Sequence, residues 1–67
     1  MPSTVIRRFE YRAERRELEI EFVTGRRYIY SDVPPEEVQS MRAAYSKGRY
    51  FNAYVRDRYK CRELTDY

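Results

Sequence analysis

Glu17-Leu18-Glu19-Ile20-Glu21-Phe22 alternates acid and apolar residues without a break. A strand places successive side chains on opposite faces. Leu18, Ile20 and Phe22 therefore point to a core, and Glu17, Glu19 and Glu21 to solvent. Thr24-Gly25-Arg26 follows as a hairpin turn, because Gly25 supplies the positive φ that such turns need. Arg27 to Tyr30 then returns as a strand, with Tyr28 and Tyr30 on one face and Arg27 and Ile29 on the other.

Upstream, Val5 to Tyr11 reads as a strand with Val5, Phe9 and Tyr11 facing one way and Arg8, Glu10 and Arg12 the other. Ala13 to Arg16 is a polar turn. Three strands on short turns form an antiparallel meander. Downstream, Val33-Pro34-Pro35 ends the sheet. Proline at the first helical position, with Glu36 and Glu37 in the first turn, starts a helix. Val38, Met41 and Tyr45 give it one apolar stripe. Ser46-Lys47-Gly48 breaks the pattern, and Arg49 to Tyr59 reads as a second helix. Phe51, Tyr54 and Val55 centre its buried arc, flanked by Tyr50 and Tyr59. Arg49, Asn52, Arg56 and Lys60 line up opposite. Residues 61–67 are expected to fray. The expected architecture is β-β-β-α-α, an α+β domain with two helices on one face of a three-stranded sheet.

The 67 residues are room for one domain, spanning 1–67 with its ordered core over about 3–60. A chain this short buries only about 60% of its unfolded surface. Its eight tyrosines and three phenylalanines are therefore needed first as core and core rim. Histidine is absent and Cys61 is the one cysteine. That excludes an internal disulfide, argues against a structural zinc site and leaves no general base for work near neutral pH. Lys60 and Arg62 flank Cys61, but a catalytic role lacks a partner base. Glu17, Glu19 and Glu21 share a face on which Mg²⁺ is conceivable, yet a solvated strand face explains them. No enzyme, cofactor or metal is expected. No apolar run approaches the roughly 20 residues of a membrane span, and no signal peptide opens the chain. Cytoplasmic residence without membrane contact is the default expectation.

In order, Leu18-x-Ile20-x-Phe22, Gly25, Tyr28-x-Tyr30, Val33-Pro34, Ala44-x-Ser46-x-Gly48, Tyr50-Phe51-Asn52 and Tyr59 resemble the core of the KTSC domain family. The match runs from about Ser3 to Tyr59, with Met41 where a leucine is common. This family is named for the C-terminal domain of some lysyl-tRNA synthetases and also occurs as a small stand-alone bacterial or phage protein. Its Tyr-x-Tyr hallmark falls on Tyr28 and Tyr30. The resemblance implies RNA binding, through the synthetase context, and carries no catalytic residues. On the strand register, Tyr28 and Tyr30 belong to the core with hydroxyls at its rim. A one-residue slip would expose both.

The net charge of +3 conceals its distribution. Residues 42–62 alone carry +6, against +2 for residues 1–30, −3 for 31–41 and −2 for 63–67. Two readings fit this basic stripe and its tyrosines. One is a solvated helix face. The other is a nucleic-acid site, RNA or tRNA before single-stranded DNA. On the second, Lys47, Arg49, Arg56 and Lys60 contact phosphates, Asn52 hydrogen-bonds and Tyr50 stacks. Residues 46–48 add the free N–H groups of a helix start. The open sheet face, with Arg8, Arg12 and Arg27 around the glutamates, needs only cross-strand ion pairs. A rival function is protein interaction or homodimerisation through a sheet edge, using exposed Ile29 and Tyr67.

Overall fold

A computed structural model describes residues 6–64. Four strands form one antiparallel sheet in the order β1-β2-β3-β4: β1 Ile6–Arg12, β2 Glu17–Phe22, β3 Arg27–Tyr30 and β4 Cys61–Leu64. Two helices intervene between β3 and β4. α1 covers Pro35–Ala43. α2 covers Lys47–Tyr50 and runs on without interruption into a π-helical segment, Phe51–Val55. The α+β class is as expected, but the sheet has four strands rather than three.

The fourth strand is the main correction. Cys61–Leu64 was expected to fray, since three of its four residues are polar or small and no alternation marks it. It is held by backbone pairing to β3, with Tyr30 opposite Cys61, Tyr28 opposite Glu63 and Arg27 opposite Leu64. The N–H of Ser31 extends this ladder by donating to the Lys60 carbonyl at 2.8 Å. Residues 65–67, the rest of that expected tail, and Tyr67 with them, lie outside the described residues. So do Met1 to Val5.

β1 and β2 pair with Phe9 opposite Ile20 and Tyr11 opposite Leu18. An irregularity between Ile6 and Arg8 puts Ile6 opposite Phe22 and brings both Arg7 and Arg8 to Glu21, at 3.7 and 2.8 Å. The β2–β3 turn closes with Gly25 N–H on the Phe22 carbonyl and Phe22 N–H on that of Arg26, both 2.8 Å. Gly25 there has φ +93°, as the turn requires.

Leu18, Ile20, Tyr30, Val33, Val38, Met41, Phe51 and Val55 form the buried core, between one sheet face and the two helices. Tyr11 locks its near edge by donating to the Val33 carbonyl at 2.7 Å. Three expectations about burial change. Tyr45, assigned to the α1 stripe, is fully exposed, because α1 stops at Ala43 and Ala44 is extended. Tyr54, assigned to the buried arc, is half exposed. The second helix begins two residues early and ends at Val55 rather than Tyr59. Arg56 N–H bonds the Phe51 carbonyl at 2.9 Å, an i to i+5 step. This wider turn advances each residue by less than 100°, so the phase slips and Tyr54 swings outward while Phe51 and Val55 stay in. Ile29, expected to be exposed, is buried on the far sheet face. It sits in register between Glu19 on β2 and Arg62 on β4, a neighbour that a three-stranded sheet lacks.

That far face is a lattice of ion pairs. Glu21 takes Arg7 and Arg8, Glu19 takes Arg12 at 3.1 Å and Arg27 at 3.6 Å, and Glu17 takes Arg62 at 3.8 Å. Arg8 holds the Glu21 carboxyl below its usual range, chiefly through their hydrogen bond. The three aligned glutamates are thus committed to arginines. Among the described residues no acidic, cysteine or histidine side chains gather as a metal site. No helix among them is long and apolar enough to cross a membrane.

Candidate functional site

The seven cations of residues 42–62 divide by what they touch. Arg42 lies over the Phe9 ring, 5.8 Å from its centroid. Lys47 Nζ donates to the Ala44 carbonyl at 3.3 Å. Arg58 approaches Glu37 at 3.9 Å and Arg62 pairs with Glu17. Arg49, Arg56 and Lys60 are exposed, and among the described residues no carboxylate pairs with them. The local charge therefore has three uncommitted bearers.

These do not form one helical stripe. Arg49 is in α2, its N–H held by the Ser46 cap at 3.3 Å. Asn52 follows in the π segment, and Arg56 is its C-cap. Lys60 lies beyond the helix, at the entry to β4. Tyr50 is turned the other way. Its hydroxyl donates to Glu37 Oε2, and its ring tilts against Tyr54 with centroids 4.7 Å apart. Burial first, and the Glu37 bond after it, raise the Tyr50 hydroxyl above its ordinary pKa. Tyr50 is thereby a strut between the helices, while Tyr54 offers the exposed ring of the pair.

Asn52 and Arg56 instead face a groove of about 510 Å³ between the π segment and the β3–β4 half of the sheet. Phe22, Tyr28, Tyr30 and Phe51 line its apolar part. Their rings meet edge to face: Phe22 with Tyr28 at 5.6 Å, Phe22 with Phe51 at 5.4 Å and Tyr30 with Phe51 at 5.4 Å. Asn52, Arg56, Asp57 and Cys61 supply the polar part. Tyr30 is almost fully buried and Tyr28 half-buried, so the pair joins the core to the groove. Burial, with the Cys61 thiol beside it, pushes the Tyr30 hydroxyl well above its ordinary pKa. The Cys61 thiol itself is free and exposed.

Sequence patterning finds Asn52 and Arg56 on one side of a helix but misses Phe22, Phe51, Asp57 and Cys61 as their neighbours. The i, i+4 spacing of Asn52 and Arg56 is the only local signal. The other bank depends on β4, which alternation does not reveal. A smaller hollow of about 290 Å³ on the far face is lined by Arg8, Phe9, Glu10, Glu19 and Glu21. Two of those glutamates are already ion-paired.

The sequence matches the KTSC domain family over residues 2–59. The chain belongs to that family. The solved structure of a KTSC domain protein from Yersinia pestis is similar with a TM-score of 0.85 and 32% identity, covering 97% of this chain and 94% of that one. A lysine–tRNA ligase from Nostoc punctiforme is 36% identical over 63 residues, which is 94% of this chain and 11% of the ligase. An uncharacterised protein from Stutzerimonas stutzeri is 44% identical over 52 residues, covering 78% of this chain and 73% of that protein. The KTSC resemblance of the motif series from Leu18 to Tyr59 is thus established. This KTSC chain spans about a ninth of the ligase it matches, and most of the stand-alone relative.

Proposed function

We propose that this KTSC domain is a non-enzymatic nucleic-acid-binding module that prefers RNA. The observation that carries the reading is the trio Arg49, Arg56 and Lys60, exposed and unpaired among the described residues, with Arg56 lining a groove that has aromatic walls. On the far sheet face, by contrast, the arginines are spent on glutamates. Uncommitted cations with aromatic neighbours suit backbone contact plus base stacking. Asn52 serves as hydrogen-bonding group, Lys47 as an outlying phosphate contact at the start of α2 and Tyr50 as support for the stacking ring of Tyr54. The preference for RNA over DNA draws on the relative that is a lysine–tRNA ligase. The absence of histidine from the chain favours binding over turnover.

The test is fluorescence polarisation with labelled tRNA and with single-stranded RNA and DNA. Binding is expected at low salt. With about three phosphates neutralised, log K should fall against log salt with a slope of about −2. Arg49→Glu with Arg56→Glu should abolish it. No binding to any of these probes at low salt refutes the function. Binding that survives the double reversal refutes the site.

A further inference from the structure

We propose that the groove between the π segment and β3–β4 seats a single unpaired nucleotide of an RNA strand, its base against Tyr28 and its phosphate on Arg56. The proposal rests on the nucleic-acid reading and adds to it a defined seat, which an exposed helix face does not provide.

Size is the first argument. At about 510 Å³ the groove falls within the range of small-molecule sites, about 300–1,000 Å³, and suits one nucleotide rather than a duplex. Chemistry is the second. An aromatic lining with a few polar groups is what a splayed-out base needs, because every base has a π face and a hydrogen-bonding edge. Tyr28 is half-buried at the mouth, braced edge-on by Phe22. Asn52 offers both donor and acceptor, and Asp57 offers acceptors only. Charge decides the occupant. An aromatic lining also suits an ammonium group. Here, however, Arg56 lines the groove and exposed Lys60 directly precedes Cys61, against the single lining carboxylate of Asp57. An anionic phosphodiester is complementary to that balance and a cation is not. Asp57 accepts a hydrogen bond from an exocyclic amino group, so cytosine should be preferred to uracil.

Cys61 gives a direct readout, since its exposed thiol lines the same groove. A twelve-nucleotide cytidine-rich RNA, at a concentration that saturates polarisation, should slow iodoacetamide alkylation of Cys61 about tenfold, as about 90% occupancy requires. Asn52→Ala, a change at an exposed position, should weaken binding about tenfold and release the protection in step. Asp57→Asn should erase the preference for cytidine over uridine. RNA bound with Cys61 alkylated at the free rate overturns the groove and leaves the nucleic-acid reading standing. Protection undiminished in Asn52→Ala at the same RNA concentrations overturns it too. Failure of polarisation to detect any bound RNA overturns both. Protection by tetramethylammonium chloride but not by RNA overturns it in favour of a cationic occupant.

Discussion

The Tyr59 hydroxyl donates to Glu37 Oε1 at 2.8 Å, and the other oxygen of the same carboxylate takes the hydroxyl of Tyr50. One side chain in the first turn of α1 thus anchors both ends of the segment that follows α2. Tyr59→Phe should cost about 1 kcal/mol, and Glu37→Ala, which strands two hydroxyls and Arg58, about 2–3 kcal/mol. Urea denaturation checks both. If Tyr59→Phe has the wild-type midpoint, the anchor is idle.

The same anchor predicts an alkaline limit. Burial first, then the bond to Glu37, pushes the Tyr59 hydroxyl up to about 12 from its ordinary value of 10. The folded state therefore holds this proton more tightly than the unfolded state does. Its contribution is complete below about pH 10 and disappears as pH rises from about 10 to 12. Melting temperature measured across that window should fall less in Tyr59→Phe than in the wild type. Parallel curves would contradict the assignment.

Gly25 has φ +93°, and a Cβ built there meets nothing within 4 Å. Substitution to alanine is thus penalised by backbone conformation alone, by about 1–2 kcal/mol. A denaturant midpoint unchanged in Gly25→Ala would mean that the turn relaxes to another geometry.

β4 covers Ile29 and the outer flank of Tyr30. A chain ending at Lys60 loses that cover and the backbone ladder, at a cost of about 2 kcal/mol or more. It should unfold at a lower urea concentration. Equal stability of the shortened chain would show that β4 is ornamental.

Glu10 and Glu19 are direct cross-strand partners on the far face. Like charges opposed in this way destabilise a sheet. Glu10→Lys should therefore raise stability by about 0.5 kcal/mol, and the gain should shrink in high salt. A loss of stability in the lysine variant would refute the repulsion.

The elements with strong local signals were legible in the sequence. Strict alternation over Glu17–Phe22, a glycine at the turn and proline ahead of two glutamates each specify their geometry through nearby residues. β4 was illegible because Cys-Arg-Glu-Leu has no apolar face to display. Its stability comes from backbone bonds to β3, about thirty residues away. Tyr54 was misassigned because a single i to i+5 bond at Phe51 shifts the helical phase, which a fixed 100° step cannot anticipate. The site was half legible for the same reasons. Asn52 and Arg56 share a helical spacing, whereas Cys61 joins them only through pairing.

Tyr30 and Cys61 face each other across the last ladder, and both line the groove with Asn52 and Arg56. The groove is therefore complete only when the terminal strand has docked. An occupant touching both banks adds its binding free energy to that docking and to nothing earlier in folding. Amide hydrogen exchange along Cys61–Leu64 should slow when RNA fills the groove, while exchange in β1 changes little. On the proposed occupancy, closing the edge of the sheet and holding a ligand are one equilibrium.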